Sequence, residues 1–434
     1  MRCERLTLNG DPADAAAAIR RLIPAPESVR DTVSDIIDAV RARGDGALSE
    51  YIRRLDAGGA QPKPIRARPD ELEAAAAALD PSVRHAIERA IENLETVMVG
   101  WRAGLDQPVQ VGENQVVLRH VPISRAAVYV PSGRAPYPST VVMGVVPARL
   151  AGVEHIAVCA PPTRAGDVDP VVLGACHLTG VTVVYRMGGA HAIAALAYGT
   201  ESVSPVDMIV GPGNLFVQEA KRQVFGQVGI DGFAGPSDLV AIATGDADSH
   251  PLGLDLLAQA EHGPGTLVVA VSDAPELLAT LGQRLEAAPD TGAVTALVRA
   301  SDPEQALAFA EAFAPEHLQL AGAGAEQLSD RVTKAGCLFV GANAGTAFGD
   351  YIVGSNHILP TNGAARFASG LSPEDFLRRF TEVRIADADE LARTAAPLAR
   401  AEGFELHAQS MEARIGTERT AAPGGGAFGD NGPK

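Results

Sequence analysis

A chain of 434 residues is too long for one small domain, and its hydrophobic fraction of 46% is enough to fill sizeable cores. Aromatic residues contribute only 4%, so those cores must be built from Ala, Val, Leu and Ile. The formal net charge of −17 argues against binding to nucleic acid or to a membrane surface, because both kinds of partner require basic patches.

The cysteines and the N-terminal residues favour a cytoplasmic protein. Cys3, Cys159, Cys176 and Cys337 are far apart and show no CxxC spacing, which argues against a disulfide framework or a cysteine zinc site. The first residues alternate charged with small side chains and contain no apolar signal-peptide region. No run of about 18 apolar residues occurs, so we expect no transmembrane helix.

The N-terminal third is predicted to be helical after a short arm over residues 1–24. Val33, Ile36, Ile37 and Val40 recur at helical spacing. An Ala-rich stretch then predicts one or two long helices, ELEAAAAALDPSVRHAIERAIENLETVMVGWRAGL.

From about residue 117 the pattern becomes one of strands alternating with helices. A first series of β-branched runs ends in Gly or Pro: VVLRHVPI, AAVYVP, HIAVCAPP, VTVVYRMGG and DMIVGPGN. A second series follows: DLVAIAT, GTLVVAVS, VTALVRA, HLQLAG and GCLFVG. Such alternation is typical of parallel βαβ units. We therefore predict an α/β fold with two Rossmann-like α/β domains, plus small helical segments at the N- and C-terminal ends.

The predicted domains follow from these two series. No short-period repeat is present. The only G-x-G-x-x-G match, at Gly424, Gly426 and Gly429, lies in a Gly/Pro-rich tail with no strand before it, so it is a false match to a dinucleotide-binding motif. The predicted boundaries are an arm at 1–24, a first α/β domain at 25–128 plus 237–370, a second at 129–236, a C-terminal helical segment at 371–418 and a disordered tail at 419–434.

Gln259 and His262 form the first candidate site. The segment PLGLDLLAQAEHGPG predicts a helix from Pro251 to about His262, closed by Gly263 and Pro264. Gln259 and His262 then share one face of the last turn, where they are able to hold a metal. On its own, the pair is better explained by a histidine that interacts with the dipole at a helix C-terminus, and glutamine is an uncommon zinc ligand.

Three further segments carry ionisable side chains in settings that suit chemistry. FAPEHLQL places Glu316 beside His317 in an apolar run, where a buried carboxylate would need a partner. FGDYIVGSNHILPTNG contains Asp350 and His357 in an irregular segment. A predicted helix bears Glu402 and His407, although a solvated helix face would explain both. No H-E-x-x-H, G-x-S-x-G or Walker motif occurs, so these residues indicate only an α/β enzyme that uses dispersed groups, with or without a metal.

Longer blocks resemble histidinol dehydrogenase. The similarity runs in order over about residues 30–416 and rests on these blocks: YVPSGRAPYPSTVVM, VGPGNLFVQEAKRQVFGQVGIDGFAGPSD, AQAEHGPG, APEHLQL, GDYIVGSNHILPT, ARFASGLSPEDFLRRF and EGFELHA. Members of that family oxidise L-histidinol to L-histidine with NAD and one zinc ion per subunit, as homodimers with shared active sites.

The resemblance implies a role for individual residues. Glu316 and His317 would be the acid–base pair. Zinc would be held by Gln259, His262 and Asp350, with His407 supplied by the partner subunit. The substrate, a small amino alcohol, would be lined by these zinc ligands together with Ser237, His317, His357 and Glu402. NAD would contact Tyr129, His191 and Asn214.

Some positions depart from the family pattern and keep other functions open. His191 stands where the family has Gln, Gly263 where Asp is common, Ser132 where Gly is usual, and Asp238 where Glu follows the serine. A paralogous zinc- and NAD-dependent dehydrogenase for another amino alcohol or diol is one alternative. A zinc hydrolase that uses Glu316 to activate water is another, and a non-enzymatic binding protein would leave the acid–base set unexplained.

Overall fold

A computed structural model describes residues 1–23, 29–100, 106–131, 135–232 and 237–416. In these ranges the strands are β1 (Cys3–Thr7), β2 (Gln107–Val111), β3 (Asn114–Pro122), β4 (Arg125–Tyr129), β5 (His155–Ala160), β6 (Val183–Arg186), β7 (Met208–Val210), β8 (Gly229–Ile230), β9 (Asp238–Ala243), β10 (Leu267–Ser272), β11 (Val294–Arg299), β12 (His317–Ala321), β13 (Cys337–Val340) and β14 (Leu377–Arg384).

The α-helices in the same ranges are α1 (Pro12–Arg20), α2 (Arg30–Arg43), α3 (Asp45–Tyr51), α4 (Pro69–Ala77), α5 (Pro81–Val99), α6 (Pro138–Ala151), α7 (Pro170–Leu178), α8 (Gly189–Tyr198), α9 (Leu215–Val224), α10 (Ser249–Ala260), α11 (Pro275–Ala287), α12 (Pro303–Phe313), α13 (Ala323–Glu326), α14 (Thr346–Tyr351), α15 (Asp389–Ala401) and α16 (Glu405–Glu412). The helix predicted from Pro251 to about His262 is α10, which begins at Ser249 and ends at Ala260.

The chain forms two compact units, and both parallel sheets belong to the first, Met1–Trp101 and Ile123–Phe376. One sheet has six parallel strands in the order β1-β11-β10-β9-β12-β13, and the other has five in the order β6-β5-β4-β7-β8. The central strands β9 and β10 of the six-stranded sheet are buried along their whole length, as expected for a parallel sheet with helices on both faces. The predicted α/β class with parallel sheets is confirmed.

The N-terminal helices pack against the five-stranded sheet, which differs from the predicted grouping of residues 25–128 with 237–370. Val33, Ile37 and Leu48 share a core with Tyr129 and α8. Helices α4 and α5 share the core on the other face of that sheet, through Leu72 and Leu94. An apolar helical face looks alike whichever sheet it will cover, so periodicity alone did not identify the partner.

The predicted arm over residues 1–24 is integrated into the six-stranded sheet through residue 23, the last of it that the structure describes. Strand β1 pairs in parallel with β11, and Leu8, Ala16 and Ile19 are buried in the core that contains α12. The alternation in RCERLTL is too short to stand out as a strand in the sequence. Arg20, the last residue of α1, thereby comes to lie beside residues 313–314.

The second unit contains Arg102–Pro122 and Leu377–Lys434. Its antiparallel sheet has the order β14-β3-β2, so the run VVLRHVPI is an antiparallel strand and does not belong to the parallel series. Helices α15 and α16 pack against each other and bury Ala392, Ala396 and Ala408. The tail predicted to be disordered, 419–434, lies outside the described residues.

Across the described ranges, no helix is long and apolar enough to span a membrane.

Candidate active site

A cavity of about 360 Å³ in the first unit gathers most of the predicted site residues. Its walls include Asn214, Ser237, His262, Glu316, His317, Asp350 and His357. Gln259 lies directly behind this wall, where its Nε2 donates to Ser237 Oγ over 2.5 Å. Residues that are far apart in the sequence thus face one space that suits a small molecule.

The cavity lies between the carboxyl edge of the five-stranded sheet and the amino edge of the six-stranded sheet. Pro131 follows β4 and Gly213 follows β7, and β4 and β7 are neighbours where the strand order of the five-stranded sheet reverses. Open α/β sheets bind ligands at the carboxyl ends of strands at such a reversal. The six-stranded sheet instead contributes its amino edge, with Ser237 just before β9 and Glu316 just before the adjacent β12.

Glu316 is a buried carboxylate held by two donors. Its Oε2 accepts a hydrogen bond from Ser237 Oγ over 2.5 Å and another from the Asp238 backbone N–H over 3.0 Å. Burial raises the pKa of Glu316 to about 7, with a further contribution from Asp238, while His317 and the two donors oppose the rise. A carboxyl group in this range is suited to take and release a proton near neutral pH.

His317 begins β12 and lies between two carboxylates. Its Nδ1 is 3.8 Å from Glu316 Oε2, and its Nε2 is 3.5 Å from Asp350 Oδ1. Burial alone would lower the pKa of His317, but Glu316, Asp350 and Asp238 outweigh it and raise the pKa to about 9. Among the described residues, no hydrogen-bond partner reaches Nδ1, so this buried nitrogen is available to a bound molecule.

Gln259 and His262 come together at the end of α10. His262 Nδ1 lies 3.0 Å from the Gln259 backbone oxygen, which leaves Nε2 as the nitrogen able to bind a metal. The Gln259 amide nitrogen is occupied by Ser237, so its oxygen is the atom able to act as a ligand. Gln259 lies in the last turn of α10, and His262 lies two residues beyond the end of that helix at Ala260.

His357, in the irregular segment that follows α14, contacts the backbone of Asp350 near the end of that helix. His357 Nδ1 is 2.9 Å from the Asp350 backbone oxygen, and its Nε2 is 3.3 Å from Thr140 Oγ1. Burial keeps the pKa of His357 below its ordinary value, which favours a neutral ring. Burial would raise the pKa of Asp350, but the imidazole of His317 and the nearby His357 and His262 hold it below its usual range.

The donors on this wall suit a zinc ion in type, although they form an incomplete set. His262 offers a ring nitrogen and Asp350 an anionic carboxylate, and both face the cavity. Zinc binds such nitrogen and oxygen donors in four-coordinate sites. Within the described ranges, no group of three or more His, Cys, Asp and Glu side chains is close enough to hold a metal. A full site would therefore need the Gln259 oxygen and a further ligand.

Tyr129 and His191, two of the three predicted NAD contacts, lie in a buried layer outside the lining of the cavity. The Tyr129 hydroxyl, at the end of β4, accepts a hydrogen bond from the Gly189 N–H over 3.1 Å. Burial raises the pKa of Tyr129, so it remains a neutral phenol. Asn214 does line the cavity and caps α9 by accepting from the Phe216 and Val217 N–H groups.

His191 is partnered by Asp56, a residue that the sequence did not indicate. His191 Nε2 lies 2.9 Å from Asp56 Oδ2, which also accepts the Gly188 N–H over 2.9 Å. Asp56 ends a π-helical turn, Ile52–Asp56, and such turns are frequent at functional sites. In the sequence, Asp56 resembles any acidic residue before an Ala-Gly-Gly turn, so no local signal pointed to it.

A buried ion pair fixes the loop that carries Gly213 and Asn214. Lys221 Nζ donates to the Gly211 oxygen and to Asp231 Oδ1, each over 2.6 Å, while Asp231 Oδ2 accepts the Gly211 N–H over 2.6 Å. Gly211 has a φ of 110°, and a Cβ atom at this position would lie 2.1 Å from the backbone oxygen of Tyr129. Only glycine allows the loop to approach β4 this closely.

Glu402 and His407 belong to the second unit, and both are exposed. Glu402 caps the C-terminal end of α15, and the ring of His407, on α16, lies 5.1 Å from the ring of Phe404, the residue before that helix. Their assignment to substrate and zinc stays a prediction.

The departures from the family pattern have different local settings. Gly263 has a φ of 88°, a backbone conformation that favours glycine and explains its presence after His262. Asp238 is buried, and its Oδ1 accepts the Glu316 backbone N–H over 2.7 Å. Ser132 lies outside the described residues.

Comparisons with known proteins agree over most of the chain. The family model for histidinol dehydrogenase matches residues 21–415. The histidinol dehydrogenase of Parasynechococcus marenigrum (strain WH8102) is 40% identical over 96% of this chain and 98% of its own length. That of Natronomonas pharaonis is 42% identical over 93% and 97%. The crystal structure of histidinol dehydrogenase from Elizabethkingia anophelis superposes with a TM-score of 0.87 at 30% identity, covering 95% of this chain and 98% of that one.

We expect Gly211→Ala to destabilise the protein more than Gly226→Ala. Both glycines have φ values near 100°, but nothing lies within 4 Å of a Cβ at Gly226. The shared backbone strain costs about 1–3 kcal/mol, and the clash at Gly211 adds roughly 1–3 kcal/mol. Urea unfolding followed by circular dichroism measures the difference, and equal midpoints for the two variants would show that the close approach to β4 is not required.

We expect Lys221→Met to cost about 3–5 kcal/mol, because it leaves the buried Asp231 carboxylate without its partner. Lys63→Met is the matched control, since it removes a half-exposed lysine that pairs with Asp167 at the same 2.6 Å distance. Exposed pairs contribute little to stability, so the control should unfold like the parent protein. The same urea titration compares the two, and a Lys221→Met midpoint no lower than that of Lys63→Met would contradict the assignment.

Proposed function

The chain belongs to the histidinol dehydrogenase family, and we propose that it oxidises L-histidinol to L-histidine through histidinal, the last step of histidine biosynthesis. NAD⁺, when bound, is the hydride acceptor for both oxidations. In the overall reaction, the alcohol and one water molecule are converted to a carboxylate, two hydrides that pass to NAD⁺, and three protons. The observation that supports this function best is the buried pair Glu316 and His317, which faces the same cavity as donors suited to zinc.

We assign the first deprotonation to His317. The alcohol must lose its hydroxyl proton as hydride leaves carbon, and a positioned imidazole is the usual base for such a step. In the described arrangement the surrounding carboxylates favour the charged ring. Asp350 is one of these carboxylates and also a predicted metal ligand, so a cation held there would weaken this preference and favour the neutral ring that a base requires.

We assign the activation of water to Glu316. The aldehyde has to be hydrated before it has a second hydride to lose, and this step needs a base for water. The Ser237 hydroxyl and Asp238 N–H both occupy Oε2, so Oε1 is the oxygen able to accept a proton from water. Two different deprotonations thus account for two adjacent ionisable residues.

Zinc would be held by the Gln259 oxygen, His262 Nε2 and the Asp350 carboxylate, with His407 of a second subunit as the fourth ligand. When bound, zinc would hold the imidazole and amino nitrogens of the substrate as a template. Ser237 and His357 line the same cavity and would contact the substrate, together with Glu402 from the second subunit. Each of these assignments rests on donor type and location.

NAD would bind at the carboxyl edge of the five-stranded sheet, where Asn214 lines the cavity. Tyr129 and His191 lie at the same edge, and Tyr129 holds the Gly189 N–H at the start of α8. The His191 departure, which motivated the alternative of another amino-alcohol substrate, lies in this buried layer beside Asp56 and not in the cavity wall that carries the acid–base pair. It therefore gives no specific support to a different substrate.

The second unit supports a homodimer with shared active sites. Helices α15 and α16 bury only alanines, while Leu398, Phe404 and Leu406 are each more than half exposed. An apolar surface beside Glu402 and His407 is suited to dock on another subunit. We infer that each site combines Gln259, His262 and Asp350 of one subunit with Glu402 and His407 of its partner.

Glu316→Gln should block the aldehyde step and leave the first oxidation largely intact. Loss of a general base typically costs roughly 10²–10⁴-fold, and here the loss should fall on NADH formation from supplied histidinal. Single-turnover NADH formation from histidinol measures the first oxidation, which His317→Asn should instead impair. A Glu316→Gln variant that oxidises histidinal as fast as the parent protein would rule out the assigned role.

His262→Asn and His407→Asn should each lose zinc and activity, and should complement one another when mixed and reassembled. In a mixed dimer one site carries both changes and the other carries none. Random reassembly of equal amounts yields about half mixed dimers, so roughly a quarter of the parental activity and zinc content should return.

The control for complementation is each variant taken through the same dissociation and reassembly alone. Mass spectrometry confirms that subunits have exchanged. A mixture that contains mixed dimers but stays inactive and free of zinc would mean that the ligands come from a single chain.

A further inference from the structure

We propose that Arg20 is a positioning residue for Glu316, which rests on the proposed function in that Glu316 is taken as the base for the aldehyde step. Arg20 is the last residue of α1, and it lies just before residue 21, where the match to the family model begins. No motif of the resemblance includes it. The structure nevertheless places its guanidinium against both chain segments that hold Glu316.

The first segment is the turn between α12 and β12. Arg20 donates from Nε to the Phe313 oxygen over 3.1 Å, and from one terminal nitrogen to the Phe313 and Ala314 oxygens over 2.5 and 3.3 Å. These are carbonyls at the end of a helix, which lack partners within the helix itself. The guanidinium carbon also lies 3.8 Å above the centre of the Phe313 ring.

The turn that Arg20 contacts has a strained backbone at Ala314. Ala314 is fully buried and has a φ of 50° and a ψ of 68°, the left-handed conformation that non-glycine residues seldom adopt. Such residues persist only where the surroundings hold them, and they cluster at functional sites. Glu316 follows two residues later, so the position of its backbone depends on this turn.

The second segment is the start of β9. The other terminal nitrogen of Arg20 is 3.2 Å from Asp238 Oδ2. Asp238 Oδ1 accepts the Glu316 N–H over 2.7 Å, and the Asp238 N–H donates to the Glu316 side chain over 3.0 Å. Arg20 therefore neutralises the buried carboxylate that fixes the Glu316 backbone, and it holds that carboxylate and the strained turn at a set separation.

Arginine is required for this arrangement by geometry as well as by charge. Its planar fork reaches two carbonyl oxygens and one carboxylate at once, whereas a lysine ammonium is a single point of donation on a flexible stem. We expect Arg20→Lys to recover only part of what Arg20→Met loses. Arg21→Met is the matched control, because Arg21 is the adjacent residue and is exposed.

The first measurement does not depend on any substrate. Hydrogen–deuterium exchange of the segment over residues 313–320 should be faster in Arg20→Met than in the parent protein and unchanged in Arg21→Met. Unchanged exchange in Arg20→Met would overturn the proposal, whatever reaction the protein catalyses. Failure of the parent protein to oxidise histidinol would instead count against the proposed function alone.

The second measurement separates positioning from general loss of structure. A misplacement of about 1 Å can cost on the order of 100-fold, so Arg20→Met should lower kcat for histidinal about 10- to 100-fold, with KM nearly unchanged and the first oxidation preserved. In a Glu316→Gln background the same substitution should have no further effect. The proposal would be contradicted if Arg20→Met lowered the rates of both oxidations equally. It would also be contradicted if Arg20→Met lowered the rate of histidinal oxidation in the Glu316→Gln variant as much as it does in the parent protein. If Arg20→Met does not fold, Arg20→Lys decides by the same criteria.

Discussion

Burial of the Glu316 carboxylate is the constraint on which the geometry of the site depends. A carboxylate removed from water is costly unless donors surround it, and here the donors come from Ser237 and the Asp238 backbone. Asp238 is itself buried and requires Arg20, which also satisfies the end of α12. Satisfying one carboxylate therefore fixes the relative positions of α1, α12 and the first residues of β9 and β12. The raised pKa of Glu316 follows from the same burial, so the structural requirement and the chemical property have one cause.

The six-stranded sheet lines the cavity with its amino edge, while its carboxyl edge is closely packed. Strands β9 and β12 are neighbours at the point where the strand order reverses, the usual place for a ligand. There Asp246 accepts hydrogen bonds from the Thr244 hydroxyl and the Ala323 N–H over 2.6 and 2.9 Å. A Cβ at Gly322 would already lie 2.4 Å from Thr244 Oγ1. The Asp246 carboxylate thus pairs with groups of both strand ends at this edge.

A similar arrangement appears at the start of α8 in the five-stranded sheet. Asp56 accepts the Gly188 N–H, and Tyr129 accepts the Gly189 N–H, so the first donors of this helix are already paired. A dinucleotide phosphate would have to displace Asp56 to use them, in contrast to the Gly-rich turn of the common fingerprint. The same Asp56 oxygen lies 2.9 Å from His191 Nε2.

The sequence by itself determined the α/β class and the alternation of strands with helices, because these follow from local periodicity and turn residues. It also identified the adjacency of Glu316 and His317, which share a peptide bond. Only the tertiary structure decided which sheet the N-terminal helices cover, that the run over 116–123 pairs antiparallel, that Arg20 binds Asp238, and that Asp56 pairs with His191. Those outcomes depend on contacts between residues such as Arg20 and Asp238, which lie 218 positions apart in the sequence. Periodicity describes which face of a helix or strand is apolar. The surface that this face packs against, and the partner of each buried charge, are set by packing across the whole fold.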